Sequence, residues 1–449
     1  MKILTRLTIF FLMFFALSVC VSALQNYTQV SGVNIFIINE LDAYQNPIAV
    51  EDSNTDVHLI WRDNLNDMRY EKLNLTGTVL VPEKVIINIT GTGNAFSIGF
   101  PDVGVDSSNN LHLVWSQTDV VHDNYQVYYK KLDSNGDELV SDTALTSSPS
   151  NQIEYGYPKI AVGTDNMVNV IWTKIDNQTS FNDTNPLHGQ IHYIKLDSSG
   201  NINVSDTIVK HNGSYNTRLA LDTADNDIYI LTLEDYNNLT DPIAGLSFTR
   251  LDENGTVVAG PVNVTDTSNI LWGYFDIDVD NSGDAHIVWS DNRTGAALVW
   301  YSKLDENGSI IVGNKSISSN TSSLHFAREP TVGVKDNNNI LVLFEGVDFR
   351  NSTTNANHTG IYKIELSNAG SIVQSQTLLM KGVTNPFAFI GDEGCVASSH
   401  DPDACRTSSG EGEGEEVPEF SSVFTMLLLV IIALAVFVIL KKKKGGSLK

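Results

Sequence analysis

A chain of 449 residues with 42% apolar content can bury a large core, and repeats allow such a length to form one unit rather than two or three domains. Its 28 Lys and Arg stand against 53 Asp and Glu, a formal net charge of −25. That balance excludes nucleic acid as a partner, because no basic surface is available to neutralise phosphates.

At the N-terminus, Lys2 and Arg6 flank an apolar run from Leu7 to Val21, and Val21-Ser22-Ala23 offers small residues for cleavage. Residues 1–23 therefore read as a secretory signal peptide. Leu17 to Cys20 invites a lipoprotein signal, but Val19 stands where such signals need a small residue. Residues 33–41 (VNIFIINEL) read as a strand.

From here the chain repeats itself. Six apolar, β-branched runs end in a large residue: VHLIW at Trp61, LHLVW at Trp115, VNVIW at Trp172, IYILT at Thr232, AHIVW at Trp289 and ILVLF at Phe344. Their ends lie 54, 57, 60, 57 and 55 residues apart. Each is followed by a second strand-like segment and a tight turn closing on Gly77, Gly136, Gly200, Gly255, Gly308 or Gly370. Such a turn needs one residue with positive φ, where glycine carries no Cβ penalty. One further strand precedes each apolar run and another follows each glycine. Four short strands per unit, six times over, predict an all-β fold: a six-bladed β-propeller of four-stranded blades spanning 44–392. The segment 24–43 is expected to complete or extend the last blade at the seam and close the ring without a covalent bond.

The terminal Trp residues are expected to pack between sheets. Thr232 in the fourth blade predicts looser packing there. His58, His112 and His286 share one position, three before the anchor, where the other blades carry Asn169, Tyr229 and Leu341. Blades around a ring would hold these histidines too far apart for one metal, so they read as structural.

The repeat resembles the sialidase-like and BNR-type propeller repeats of secreted proteins. That family's box is Ser-x-Asp-x-Gly-x-x-Trp, whereas here the turn is Asp-x-x-Gly and the Trp precedes it, as in LDENG at 251–255 and 304–308. No arginine cluster suited to a sialic carboxylate stands out, so sialidase activity does not carry over. The acids recur in turns, and none stands apart as one of the two carboxylates a glycosidase needs. No GxSxG, HExxH or phosphate loop is present.

Residues 276–284 (DIDVDNSGD) approach a calcium loop through Asp278, Asp280 and Ser282, but the acid required at its far end falls on Trp289. A turn between strands is the expected reading, with no cofactor, and Ca²⁺ as the alternative. Sixteen sequons, at Asn26, Asn74, Asn88, Asn177, Asn182, Asn203, Asn212, Asn238, Asn254, Asn263, Asn292, Asn307, Asn314, Asn320, Asn351 and Asn357, are candidates for glycosylation. Their alternative is a compositional bias of turns.

Beyond the repeats, Cys395 and Cys405 frame a short loop in the segment 393–417. On an oxidising exterior a disulfide is favoured, stabilising by about 2–3 kcal/mol, over a metal site with His400. An acidic Gly/Glu spacer follows. Val423 to Leu440 is then eighteen residues without a charge, about 27 Å as a helix, and Lys441 to Lys444 would hold its end in the cytoplasm.

The order of acidic linker, Pro418-Glu419-Phe420, apolar helix and basic cluster resembles the PEF-CTERM sorting signal of archaeal surface proteins over 418–449. The resemblance implies recognition by an archaeosortase, a membrane-embedded cysteine transpeptidase. A plain single-pass anchor is the alternative. Together these features predict a non-enzymatic binding module or envelope component on the cell surface. It would be held at the cytoplasmic membrane by its C-terminal helix, with envelope proteins or glycans as partners. The rival expectation is an extracellular carbohydrate-active hydrolase using the propeller channel.

Overall fold

The computed structural model describes residues 24–396 except 31–32, 40–44, 64, 90–97, 120–123, 148–152, 177–188, 214–215, 235–244, 266–269, 320–325, 336–338, 349–357, 382–385, 393–394. Six sheets of four antiparallel strands follow one another along the chain, as blades 1 (45–87), 2 (98–144), 3 (153–213), 4 (217–263), 5 (270–316) and 6 (326–381). In every blade the strands run in sequence order, and the apolar run found in the sequence is the second strand. This is the expected six-bladed β-propeller.

The segment before the blades reaches the seam, but in a sheet of its own rather than in the last blade. Strands Leu24–Val30 and Val33–Asn39 join Pro386–Asp392 and Cys395–Val396 in a seventh four-stranded sheet. Residues 33–39 do not extend blade 6, whose four strands all come from 326–381. Pro386–Asp392 lies beside the first strands of both blade 6 and blade 1, so the two ends of the chain fill the seam together.

The core is divided among the interfaces between blades. Ile48, Tyr70 and Ile87 of blade 1 pack with Ile98, Leu113 and Trp115 of blade 2, and equivalent clusters recur between later pairs. Trp115, Trp172 and Trp289 are fully buried and Trp61 nearly so, each directly across from a residue of the third strand. Trp115 stacks on Tyr128 with centroids 5.7 Å apart, and Trp172 on His192 at 5.8 Å. Thr232 does not leave the gap expected of it. Lys210 from blade 3 reaches in and donates to Thr232 Oγ1 at 2.6 Å, and both side chains are buried.

A polar network ties each blade to the next. His112 is fully buried, with Nε2 3.2 Å from Asp106 Oδ2 and Nδ1 2.8 Å from the Tyr129 hydroxyl. The carboxylate selects the tautomer protonated on Nε2, so Nδ1 accepts from tyrosine. Lys131 Nζ lies 2.9 Å from the same carboxylate and donates to Ser198 O in the next blade at 2.7 Å. Asp52, His58, Tyr70 and Lys72 repeat this group, as do Asp280, His286, Tyr301 and Lys303. In blade 3, Asn169 Oδ1 accepts from Tyr193 at 2.8 Å instead.

The turn glycines meet this network. Gly200 has φ +82°, and a Cβ there would stand 2.8 Å from the Tyr129 ring of the preceding blade. Backbone conformation and a neighbouring aromatic ring therefore demand glycine independently.

Candidate functional site in the central channel

The first strand of each blade lines a central channel, and the cavity in it has a volume of about 290 Å³. Its mouth lies at the turns between first and second strands, where Ser53, Ser107, Thr164 and Thr223 present hydroxyls. Ala161, Ala220 and Gly333 also line it, and Gly104 lets blade 3 pack close, since a Cβ there would stand 2.7 Å from Val162 Cγ2.

Its charged level is set by register. In every blade one first-strand residue pairs with the residue just before the second-strand anchor: Ile48 with Ile60, Asp102 with Val114, Lys159 with Ile171, Arg218 with Leu231, Asp276 with Val288 and Thr331 with Leu343. Asp102, Lys159, Arg218 and Asp276 line the cavity from this register, whereas Ile48 packs in the core between blades 1 and 2. A register shift precedes each of the six positions except Arg218, and in blades 1, 2, 3 and 6 a proline stands immediately before.

Four of the six are ionisable and all four are buried. Asp102 Oδ2 accepts the Ile160 N–H of blade 3 at 3.0 Å, while Lys159 Nζ stands 3.9 Å from Asp102 Oδ1. Asp276 Oδ2 accepts from Thr331 Oγ1 at 2.7 Å and from Val332 N at 3.1 Å, both in blade 6. Arg218 donates to Asn216 Oδ1 at 2.6 Å and to Thr217 O at 3.0 Å, with its guanidinium 5.1 Å from the centre of the Phe275 ring in blade 5. The carboxylates thus cap N–H groups on the inner edge of the following blade.

Burial sets the protonation of this level. It raises Asp102 above the ordinary carboxyl range against the pull of Lys159 and the Ile160 N–H. It raises Asp276 likewise, against Arg218 and Thr331. Burial also lowers the Lys159 ammonium, which Asp102 only partly restores. Carboxyls that hold a proton more tightly and an amine that releases one more readily have shifted in the directions that suit a general acid and a general base.

The sequence did not single out this level. Of the calcium candidates, Asp278 lines the same cavity, but its Oδ2 accepts Val334 N at 2.6 Å and its Oδ1 accepts Val279 N at 2.8 Å. Asp280 Oδ1 closes the turn on Ser282 N and Asp284 N, and its Oδ2 meets His286 and Lys303. The two carboxylates face different partners, and among the described residues no cluster of three or more His, Cys, Asp or Glu is placed to hold a metal.

Among the sequons, Asn88, Asn203, Asn254, Asn263, Asn292 and Asn307 are exposed, and Asn74 and Asn314 half-buried. The side chains of Asn26, Asn177, Asn182, Asn212, Asn238, Asn320, Asn351 and Asn357 lie outside the described set, as do Cys405 and the motif Pro418-Glu419-Phe420 with its apolar segment.

No protein-family model matches this sequence, and no curated protein matches it either. Solved structures do resemble its fold. A polysaccharide lyase, an ulvan lyase, superposes with a TM-score of 0.51 at 12% identity, over 76% of this chain and 86% of its own. A thermostable family-43 glycoside hydrolase gives 0.40 at 9%, over 76% and 97%. A protein of unknown function from Dyadobacter fermentans gives 0.41 at 9%, over 64% and 95%. At these identities the likeness is one of fold, and that fold is the β-propeller.

Proposed function

We propose that this protein is a carbohydrate-active propeller of the cell exterior, which takes a saccharide unit into the central cavity and cleaves its linkage there. One observation carries the reading. Across six repeats whose packing residues largely recur, one register position presents Asp102, Lys159, Arg218 and Asp276 to the cavity from four successive blades, with Ile48 and Thr331 at the same register in blades 1 and 6. A repeated contact needs the same residue each time, whereas an asymmetric ligand needs different ones. The propeller of the polysaccharide lyase supports the reading, since that fold carries such chemistry.

In this scheme the Asp276 carboxyl, holding its proton by burial, donates to the departing glycosidic oxygen. Lys159, its ammonium weakened by burial, takes the C5 proton of a uronate as the C4–O bond breaks and the C4–C5 double bond forms, and Arg218 supplies a fixed positive charge to the uronate carboxylate. Residues 1–23 would deliver the protein outward, and 418–449 would anchor it or serve a sorting transpeptidase. A non-catalytic surface binder is the second reading. It is favoured by the hydrogen bonds that Asp102 and Asp276 already accept from neighbouring blades.

The test is to incubate the full-length protein with neutral and uronate polysaccharides, following new reducing ends and unsaturated uronate absorbance. Product release that falls at least a hundredfold in Asp276→Asn and in Lys159→Met is expected. Binding with no product from any substrate would reject cleavage and leave the binder.

A further inference from the structure

The opposite end of the first strands carries a second ring. Two residues before the charged level stand Phe100, Tyr157, Asn216, Tyr274 and Glu329, in blades 2 to 6, all half-buried and none of them lining the charged cavity. Phe100 and Tyr157, from adjacent blades, bring their ring centroids to 4.0 Å with 35° between planes, which makes one apolar patch. Across the ring, Arg328 Nε lies 2.5 Å from Glu345 Oε2 and 4.0 Å from Glu329 Oε1.

The backbone under this ring is unusual. Phe100, Tyr157 and Glu329 have φ of 53°, 56° and 52°, and each precedes a proline, Pro101, Pro158 or Pro330. L-residues with bulky side chains rarely adopt such values, and strain of this kind collects at functional positions. The repeat does not require an aromatic there, because Glu329 adopts the same conformation with a carboxylate. The rings of blades 2 and 3 are therefore not dictated by the bulge that carries them.

We propose that this mouth of the channel is a second saccharide-binding site, with Phe100 and Tyr157 as the platform on which a pyranose ring stacks. Sugars present an apolar C–H face to aromatic rings and hydroxyls to polar groups, and Asn216, held by Arg218, and Glu329, beside Arg328, stand at the same level. A peptide strand is the poorer occupant. It would need an unbroken row of N–H groups on the inner strand edges, and Pro101, Pro158 and Pro330 remove one directly after the ring in three blades. The site stands whether or not the charged cavity is catalytic.

The experiment is calorimetric titration of the full-length protein with cellohexaose, xylohexaose and a galacturonate hexamer, alongside thermal unfolding. Phe100→Asn combined with Tyr157→Asn removes both rings with a residue that tolerates positive φ. Affinity for at least one hexamer should fall tenfold or more while the unfolding midpoint stays within a few degrees. The exchange Phe100→Tyr with Tyr157→Phe keeps the platform and should leave affinity within twofold, and the loss on removing the rings should be the same size when it is measured in an Asp276→Asn background. Three outcomes would each overturn the proposal: no binding to any hexamer by the unsubstituted protein, unchanged affinity without the rings, or equal loss in the ring exchange.

Discussion

Between the blades and around the channel, the same six repeats behave in opposite ways. At the interfaces, Asp106, His112, Tyr129 and Lys131 recur almost residue for residue as Asp280, His286, Tyr301 and Lys303, with nearly the same distances. At the channel, one register position presents Asp102, Lys159, Arg218 and Asp276 in turn, with Ile48 and Thr331 at the same register in blades 1 and 6. Recurrence, complete in blades 1, 2 and 5, marks what packs one blade on the next. Divergence marks what the whole ring presents to something else. Substitutions in the two regions should therefore separate cleanly into losses of stability and losses of function.

The largest effect is expected at the repeated anchors. Trp172→Ala empties a fully buried site and should destabilise by about 3–5 kcal/mol, read from denaturant unfolding. A smaller loss, about 1–3 kcal/mol in the same measurement, is expected for Gly200→Ala, which combines φ +82° with a Cβ 2.8 Å from the Tyr129 ring.

Next come the buried histidines. Burial lowers His58, His112 and His286 below the ordinary value of 6.5, more than their aspartate partners restore. The unfolded chain then binds protons that the folded one refuses, so this contribution is present above pH 6.5 and lost as pH falls. Each histidine should remove up to about 1.4 kcal/mol per pH unit below that point. His112→Asn, which installs the side chain blade 3 uses at Asn169, should flatten the dependence of the thermal midpoint on pH. An unchanged slope would show that the network does not govern acid stability.

Asp276→Asn should have the smallest effect on stability, within about 1 kcal/mol. Burial raises its carboxyl, so ionisation opposes folding above the carboxylate range, and a neutral amide relieves that while forfeiting part of the hydrogen bonding to Thr331 and Val332.

The propeller itself was legible because its anchors repeat at a spacing of 54 to 60 residues with glycine turns at a fixed place. The seventh sheet was not. Its strands come from 24–39 and 386–396, at opposite ends of the domain and without the anchor motif, and only pairing in space unites them. Thr232 read as a defect because its partner, Lys210, belongs to another blade. The charged level escaped notice for a related reason: a position whose residue changes in each copy leaves no motif. Its one signal was the proline before Ile48, Asp102, Lys159 and Thr331, which fixes the register in four blades.

The most direct test replaces Asp102, Lys159, Arg218 and Asp276 singly by Asn, Met, Met and Asn, and Trp115, Trp172, Trp289 and His112 singly by Phe, Phe, Phe and Asn. Saccharide turnover or binding and the unfolding midpoint are then measured on every variant. The expected result is two separate groups, channel variants losing function at a nearly constant midpoint and blade variants losing midpoint while the folded fraction keeps its function. If function instead follows stability along a single line through both groups, the channel level is another packing layer and the account is wrong.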